Sequence, residues 1–309
     1  MSGESARKGS FLDAVQMGIG NWAWGDFMFW GNRGQYSEAD ARAAFDAAVA
    51  AGIELVDTAE MYGFGRSERL LGRFMRESGQ RVKVATKFMP YPWRLSKGSL
   101  LRALRGSLRR LGVEQVELYQ IHWPNPPLPI ETWVGGLADA VEAGLAREVG
   151  VSNFSVAQMR RAHEVLARRG LRLASNQVEY SLLHRAPERN GLLAACRELG
   201  VRLIAYSPLA QGLLAGKYTP DSPPPGLRRW ALGGKLTSLG PLVGLLREIG
   251  QAHGGASPAQ VALNWTMAKG ALPIPGARNA RQAEENAGAL GWQLTADEVA
   301  ALDAATADG

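Results

Sequence analysis

Asp57-Thr-Ala-Glu-Met-Tyr62-Gly63 is the stretch on which the reading of this chain turns. Residues 53–56 before it read as a short buried strand. An aspartate therefore stands at a strand's C-terminal end, with a tyrosine in the loop beyond. Two later runs close the same way: Arg81-Val-Lys-Val-Ala-Thr-Lys87 on a lysine, and Val116-Glu-Leu-Tyr-Gln-Ile-His122 on a histidine. In a barrel of alternating strands and helices, the active site lies where the strands' C-terminal ends converge. Asp57, Tyr62, Lys87 and His122 would then meet in one pocket. Taken singly they read as a turn tyrosine, a lysine reaching water and a core histidine; taken together they read as a catalytic set.

Working outward, strands are expected over residues 15–20, 53–57, 82–87, 116–122, 148–152, 173–177, 201–206 and 271–274, with helical patterns between them. Ser37 is placed as a helix N-cap, Gly52 and Gly112 as helix ends, and Leu101, Leu104, Leu108 and Leu111 as one helical stripe. Eight strands at a spacing of roughly 36 residues match the length of one βα unit. The absence of hairpin signals argues for a parallel sheet. The expected fold is α/β, a (β/α)8 barrel running through residues 1–309 as one domain. A long insertion, residues 208–269, separates strands seven and eight. Its first half is rich in Pro, Gly and Arg and its second half is helical in pattern, at 242–252 and 258–267.

Composition narrows the function classes. The chain has 309 residues, 46% hydrophobic and 21% charged, an ordinary globular balance at barrel size. No apolar run approaches the roughly 20 residues that span a bilayer, and the first ten residues hold no apolar signal core. One cysteine, Cys196, excludes an intrachain disulfide and reads as a buried thiol in a reducing compartment. The four histidines lack metal-ligand spacing. Net charge is +6, but the basic residues are spread over helix faces, which argues against nucleic acid and suits a small phosphorylated ligand.

Two glycine patterns, Gly18-x-Gly20-x-x-Ala23 and Gly63-x-Gly65, imitate a dinucleotide fingerprint without its strand-turn-helix context. A better anion site is the segment from Pro273 through Gly276, Arg278 and Gln282 to Asn286, a glycine loop leading into a helix, where barrels bind phosphate. The alternative there is an ordinary turn with exposed arginines. Tyr206, at the end of strand seven, reads either as barrel filling or as a platform for a nicotinamide ring. Ser152-Asn153 and Asn176-Gln177, at the ends of strands five and six, read as carboxamide partners or as strand-end caps. A lysine ammonium roughly 4 Å from a phenol is worth on the order of 4 kcal/mol at an effective dielectric of 20. A two-unit pKa shift needs about 2.7 kcal/mol. Lys87, held by Asp57, is therefore expected to acidify Tyr62.

The chain resembles the aldo-keto reductases nearly end to end. The likeness is carried by Asp57-Thr-Ala-x-x-Tyr62-Gly63, Thr86-Lys87, Ile121-His122-Trp123-Pro124, Gly150-Val-Ser-Asn-Phe154, Asn176-Gln177, Ala205-Tyr-Ser-Pro-Leu209, Gly212-Leu-Leu-x-Gly-Lys217, Ile274-Pro-Gly276 and Gln282-x-x-Glu285-Asn286. Trp22-Ala-Trp24-Gly25, Tyr91-Pro-Trp-Arg94 and Leu290-Gly-Trp-Gln-Leu-Thr295 are similar to plastid-type, pyridoxal-reductase-like members. The resemblance implies NADP(H)-dependent reduction of aldehydes, and possibly ketones, by direct hydride transfer, with Tyr62 as proton donor, Lys87 and Asp57 tuning it and His122 orienting the carbonyl. It further implies that Ser152, Asn153 and Gln177 hold the carboxamide and Tyr206 stacks on the ring. Ser207, Leu209, Gly212 and Lys217 would flank the pyrophosphate; Gly276, Arg278, Gln282, Glu285 and Asn286 would take the adenosine end.

Many relatives carry arginine where Gln282 stands, which shifts the 2′-phosphate onto Arg278. The N-terminal segment that plugs the barrel bottom is expected to be short. Trp24, Trp30, Phe88 and Trp123, near strand ends, are candidates for an aromatic substrate pocket, with core packing as the alternative. The expected partner is a small carbonyl compound, with no nucleic acid, no membrane span and no metal. The expected compartment is the cytoplasm, or the plastid stroma for a chain whose transit peptide lies outside this sequence. A cofactor-bound regulatory subunit, like the potassium-channel β subunits, and a Schiff-base lyase using Lys87 are the competing readings.

Overall fold

The computed structural model describes residues 9–25, 37–125, 128–218, 222 and 227–307, with backbone alone for 227–237. Eight strands form one parallel sheet in chain order: β1 (Gly18–Gly20), β2 (Leu55–Asp57), β3 (Lys83–Phe88), β4 (Val116–Ile121), β5 (Ala146–Ser152), β6 (Leu173–Glu179), β7 (Arg202–Tyr206) and β8 (Leu272–Pro273). The sheet curls on itself. Gly20 bridges to Gly276 in parallel, and its N–H donates to the Pro275 carbonyl at 3.0 Å. The expected (β/α)8 barrel is what the chain forms, with the insertion between β7 and β8.

Capping chemistry starts many of the helices between the strands. Ser37, Ser155, Ser257 and Thr295 each close a capping box with the residue three positions on. Gly79 and Gly112 end their helices in the left-handed region, where a side chain would be strained. The leucine stripe of the Lys97–Leu111 helix is buried at Leu100, Leu104, Leu108 and Leu111, and Leu101 lies at its edge. The strand and helix positions expected from the sequence hold within a few residues. The largest difference is in the insertion, where a helix begins at Leu227 instead of near Leu242 and runs through Pro241 to Ala252. Proline and paired glycines at 233–234 break the helical pattern in sequence. Leu239, Leu242, Leu246 and Ile249, buried in the outer core, hold that part of the helix in place.

Side-chain alternation divides the sheet's two faces. Leu55, Ala85, Leu118, Ala174, Ile204, Leu272 and Ile274 fill the barrel interior, and Phe11, Leu12 and Val15 close it from below. That plug is one 3-10 turn, Phe11–Ala14, capped by Ser10 and tied to Glu148 through the Ser10 hydroxyl and the Phe11 N–H. Val56, Phe88, Tyr119, Ile121, Val149 and Val151 face outward into the layer shared with the helices. The same period of two turns Asp57 and Lys87 inward above Leu55 and Ala85. No described helix is long and apolar enough to cross a membrane.

Candidate active site

Lys87 is the centre of the site. Fully buried, its ammonium donates to Asp57 Oδ2 at 2.5 Å, to the Thr58 carbonyl at 2.8 Å and to Tyr62 Oη at 3.3 Å. Asp57 Oδ1 accepts from Gln177 Nε2 at 2.8 Å, so both carboxylate oxygens are paired. Burial alone would push the Lys87 proton off, but Asp57 and Tyr62 together outweigh it and raise its pKa. Lys87 is thus a fixed cation at neutral pH.

The Tyr62 and His122 rings meet edge to face, with centroids 5.7 Å apart. Burial and the Lys87 charge lower the His122 pKa to about 3, so the imidazole is neutral. Its Nδ1 is buried and has no hydrogen-bond partner in the protein. The expected acidification of Tyr62 does not occur in the protein alone. Desolvation raises the phenol above its usual value, and the opposing pull of Lys87 does not cancel it. Burial of the phenol costs its charged form more than the Lys87 ammonium returns. Tyr62 therefore stands as a neutral phenol at neutral pH.

The loop carrying Tyr62 is clamped from its other side. Glu60 accepts two bonds from the Arg94 guanidinium, at 2.5 and 3.0 Å, and one from the Met89 N–H at 2.7 Å. Gly63 sits in the left-handed region against Gly25, where a Cβ would come within 2.2 Å of the Gly25 carbonyl oxygen. Neither the Glu60–Arg94 pair nor this contact was foreseen from the sequence, since both join segments with no local pattern in common.

Around the other strand ends, Ser152 Oγ donates to the Gln177 carbonyl at 2.8 Å. Asn153 adopts φ +61°, gives its amide to the His122 carbonyl at 3.0 Å and accepts from Tyr206 Oη at 3.0 Å. Gln177 is buried, with its Nε2 engaged by Asp57. Asn176 faces the other way and donates to the Phe154 carbonyl at 2.9 Å. Tyr206 is half-buried, and burial pushes its phenol up to about 12.

Beyond β7 the backbone turns left-handed at Ser207, Ala210, Gln211 and Gly212. Three of these are not glycine, and such strain collects at ligand sites. A concave backbone of this kind suits a pyrophosphate, with Leu209 half-buried beside it and Lys217 stacked near Tyr218. Beyond β8, Asn279 caps the Ala280–Ala287 helix by accepting from the Gln282 N–H, an N-cap that the sequence reading passed over. The Arg278 N–H donates to Gln282 Oε1 at 3.0 Å, Asn286 Nδ2 donates to the Gly276 carbonyl at 3.3 Å, and the Glu285 carboxylate accepts from Ser257 at 3.3 Å. Two anion-favouring features thus flank the barrel mouth, and the donor set fits a phosphorylated dinucleotide.

The aromatic pocket differs from expectation. Trp24 packs on Phe45 and Phe74 in the outer layer, and its Nε1 braces the Ala277 carbonyl at 2.8 Å. Phe88 faces outward onto Trp133. Neither reaches the mouth, because strand alternation and a single helical turn, Trp22–Gly25, point them away. Trp30 lies outside the described residues. That same turn brings Trp22 onto Tyr62, stacked at 5.9 Å with 27° between the planes. Trp22 is 36% exposed, so one indole is open beside the tyrosine; Trp123, next to His122 in the chain, is 41% exposed. Four residues are too few for helical periodicity to separate Trp22 from Trp24.

The model of the Aldo/keto reductase family matches residues 16–307. The chain belongs to that family. As an aldo/keto reductase it is an oxidoreductase, and the chain is 43% identical over 306 residues to pyridoxal reductase, chloroplastic, of Arabidopsis thaliana, covering 94% of this chain and 83% of that protein. Among solved structures, the glycerol dehydrogenase of Gluconobacter oxydans superposes with a TM-score of 0.80 at 29% identity, covering 95% of this chain and 91% of that one. An aldo/keto reductase of Klebsiella pneumoniae in complex with NADP and acetate has a TM-score of 0.71 at 29% identity, covering 94% and 91%. Among the described residues no cluster of His, Cys, Asp or Glu could hold a metal ion.

Proposed function

We propose that this chain reduces aldehydes to alcohols with NADPH. The observation that carries the proposal is Lys87, bonded at once to Asp57 and Tyr62 beside a neutral His122. NADP(H) is the cofactor, supported by the anion-favouring turns beyond β7 and β8 and by the NADP-bound Klebsiella relative. Ser152, Asn153 and Gln177 hold the carboxamide, and Tyr206 forms the platform under the ring. Ser207, Leu209, Gly212 and Lys217 flank the pyrophosphate. Gly276, Arg278, Gln282, Glu285 and Asn286 take the adenosine end, with Arg278 at the 2′-phosphate. When bound, NADPH supplies a hydride to the carbonyl carbon. Tyr62 Oη holds the proton that goes to the carbonyl oxygen, Lys87 stabilises the phenolate left behind, and His122 orients that oxygen. One hydride and one proton turn R–CHO into R–CH2OH.

Trp22 and Trp123 favour aldehydes with a flat ring, and the name of the Arabidopsis relative makes pyridoxal the first to try. The compartment is the cytoplasm, with the plastid stroma as the alternative that the same relative's chloroplastic name supports.

The test is consumption of NADPH with pyridoxal, nitrobenzaldehyde, methylglyoxal and a long-chain enal, each repeated with NADH. Turnover with NADPH is expected, fastest on the ring aldehydes. Tight NADPH binding with no turnover on any of them would reject the enzyme in favour of a regulatory subunit.

The pH profile provides a second check. His122, with a pKa of about 3, takes up no proton between pH 5 and 9, and Tyr62, raised above its usual 10, loses none. The rate of reduction at saturating aldehyde is expected to stay level across that window. An acid limb near pH 6.5 that vanishes in His122→Asn would contradict the neutral-imidazole assignment.

A further inference from the structure

A second charged concavity lies on the outer wall of the barrel, away from the catalytic tetrad. It is an open groove of about 790 Å³ between the Arg66–Ser78 and Lys97–Leu111 helices, and six of its lining residues are arginines: Arg66, Arg69, Arg73, Arg76, Arg109 and Arg110. Glu38 is the single carboxylate in the lining. The spacing 66, 69, 73, 76 sets four guanidiniums along one face of one helix. Like charges three and four residues apart destabilise a helix. Glu38 offsets part of that cost at Arg66 and Arg73, and Glu77 lies 3.9 Å from Arg73; an anion in the groove would relieve what is left at Arg69 and Arg76.

The groove is also organised in advance. Arg110 is held by its Nε on the buried Glu68 at 2.6 Å, and Glu68 is fixed in turn by the Thr86 hydroxyl at 2.6 Å. Arg73 is held on Glu38, and its guanidinium lies 5.8 Å from the Phe74 ring centroid. Gly72 lets the two helices close to backbone contact, since a Cβ there would lie 2.3 Å from the Leu111 carbonyl oxygen. Gly106 keeps the groove wall free of a side chain. Arg69, Arg76 and Arg109 are exposed and make no ion pair with the carboxylates that hold the others in place.

We propose that this groove binds a small polyanion carrying two or more phosphate groups. Guanidinium forks match phosphate oxygens in pairs, which lysines do not. The volume lies within the range of roughly 300–1,000 Å³ typical of small-molecule sites. The basic surface does not run on as a track for a long polyanion: on the Arg73 side it meets Glu77, 3.9 Å from Arg73 and also paired with Arg42, whose other partner is Asp46. None of its lining residues is among those proposed to hold the cofactor beyond β7 and β8.

Calorimetric titration of inorganic tripolyphosphate into the full chain, with NADPH in excess, tests this. One saturable site is expected. Arg76→Ala/Arg109→Ala should weaken it by about tenfold or more, while Arg278→Ala leaves it unchanged. Should the alanine pair fail to fold, Arg76→Gln/Arg109→Gln removes the same charges and keeps the side-chain stems. Three results would each overturn the proposal: no saturable binding, unchanged affinity in the double variants, or a loss that appears with Arg278→Ala instead. Displacement of tripolyphosphate by a duplex oligonucleotide or an acidic peptide at lower concentration would replace the small ligand with that macromolecule.

Discussion

Tyr62→Phe is expected to lower aldehyde turnover by about 10²–10⁴-fold, the usual worth of a positioned general acid, while NADPH affinity stays as it was. The substitution removes one oxygen. The ring keeps its stack on Trp22 and its edge contact with His122, so the pocket's shape survives. What is lost is the proton at Oη and the charge that Lys87 stabilises once the proton has gone. At 3.3 Å and an effective dielectric of about 20, an ammonium and a phenolate attract by about 5 kcal/mol. That attraction is absent while the phenol is neutral and appears as the proton leaves, so it acts on the transition state more than on the bound aldehyde. Steady-state kinetics beside a fluorescence titration of NADPH separates the two effects. Wild-type turnover in the variant would remove Tyr62 from the chemistry and direct attention to a bound water or to His122.

Lys87→Met should produce the largest loss of stability, on the order of 3–5 kcal/mol, together with loss of turnover. Lys87 is fully buried and Asp57 is 3% exposed, so neither can turn to water when its partner goes. The variant leaves a buried carboxylate holding only Gln177 on one oxygen. The methionine fills most of the lysine's volume, so little of the cost comes from a cavity. Adding Asp57→Asn to Lys87→Met removes the stranded charge, and the double variant should be more stable than the single one. Melting temperature across the three proteins reads this directly. A single variant as stable as the wild type would mean that the pair carries no coupling. The stabilising share that belongs to Lys87 follows its raised pKa: it is complete below the unfolded lysine value near 10.4 and is lost as pH climbs through the higher folded value. The wild-type pair therefore holds undiminished at neutral pH.

The parts of the site that could be read in the sequence are those that sit on strands. Asp57, Lys87, Gln177 and Tyr206 lie at or near the C-terminal ends of their strands, and His122 follows directly on β4. A buried strand announces its end through a local run of apolar residues, and barrel geometry then brings the ends together. Trp22 and Trp24 show the limit. Two residues apart, in a turn of four, one stacks on Tyr62 and the other supports the loop after β8. Their chemistry is identical, and only the partners supplied by distant segments tell them apart. The state of Tyr62 belongs to the same limit. The attraction of Lys87 could be estimated from sequence, but the burial that outweighs it depends on what surrounds the ring.

By itself, the order of residues determined the alternation of strands and helices, the capping serines and glycines, and the presence of an aspartate, tyrosine, lysine and histidine at one barrel end. These follow from hydrophobic periods of two and 3.6 and from backbone chemistry within a few residues of each position. Only the tertiary structure decided which indole faces the tyrosine, that Gln177 spends its amide on Asp57, that Glu60 and Arg94 clamp the Tyr62 loop, and that the arginines of two helices share one groove. Each of these joins side chains far apart in the chain. Their burial and pairing are set by packing across the whole barrel, which no local pattern encodes.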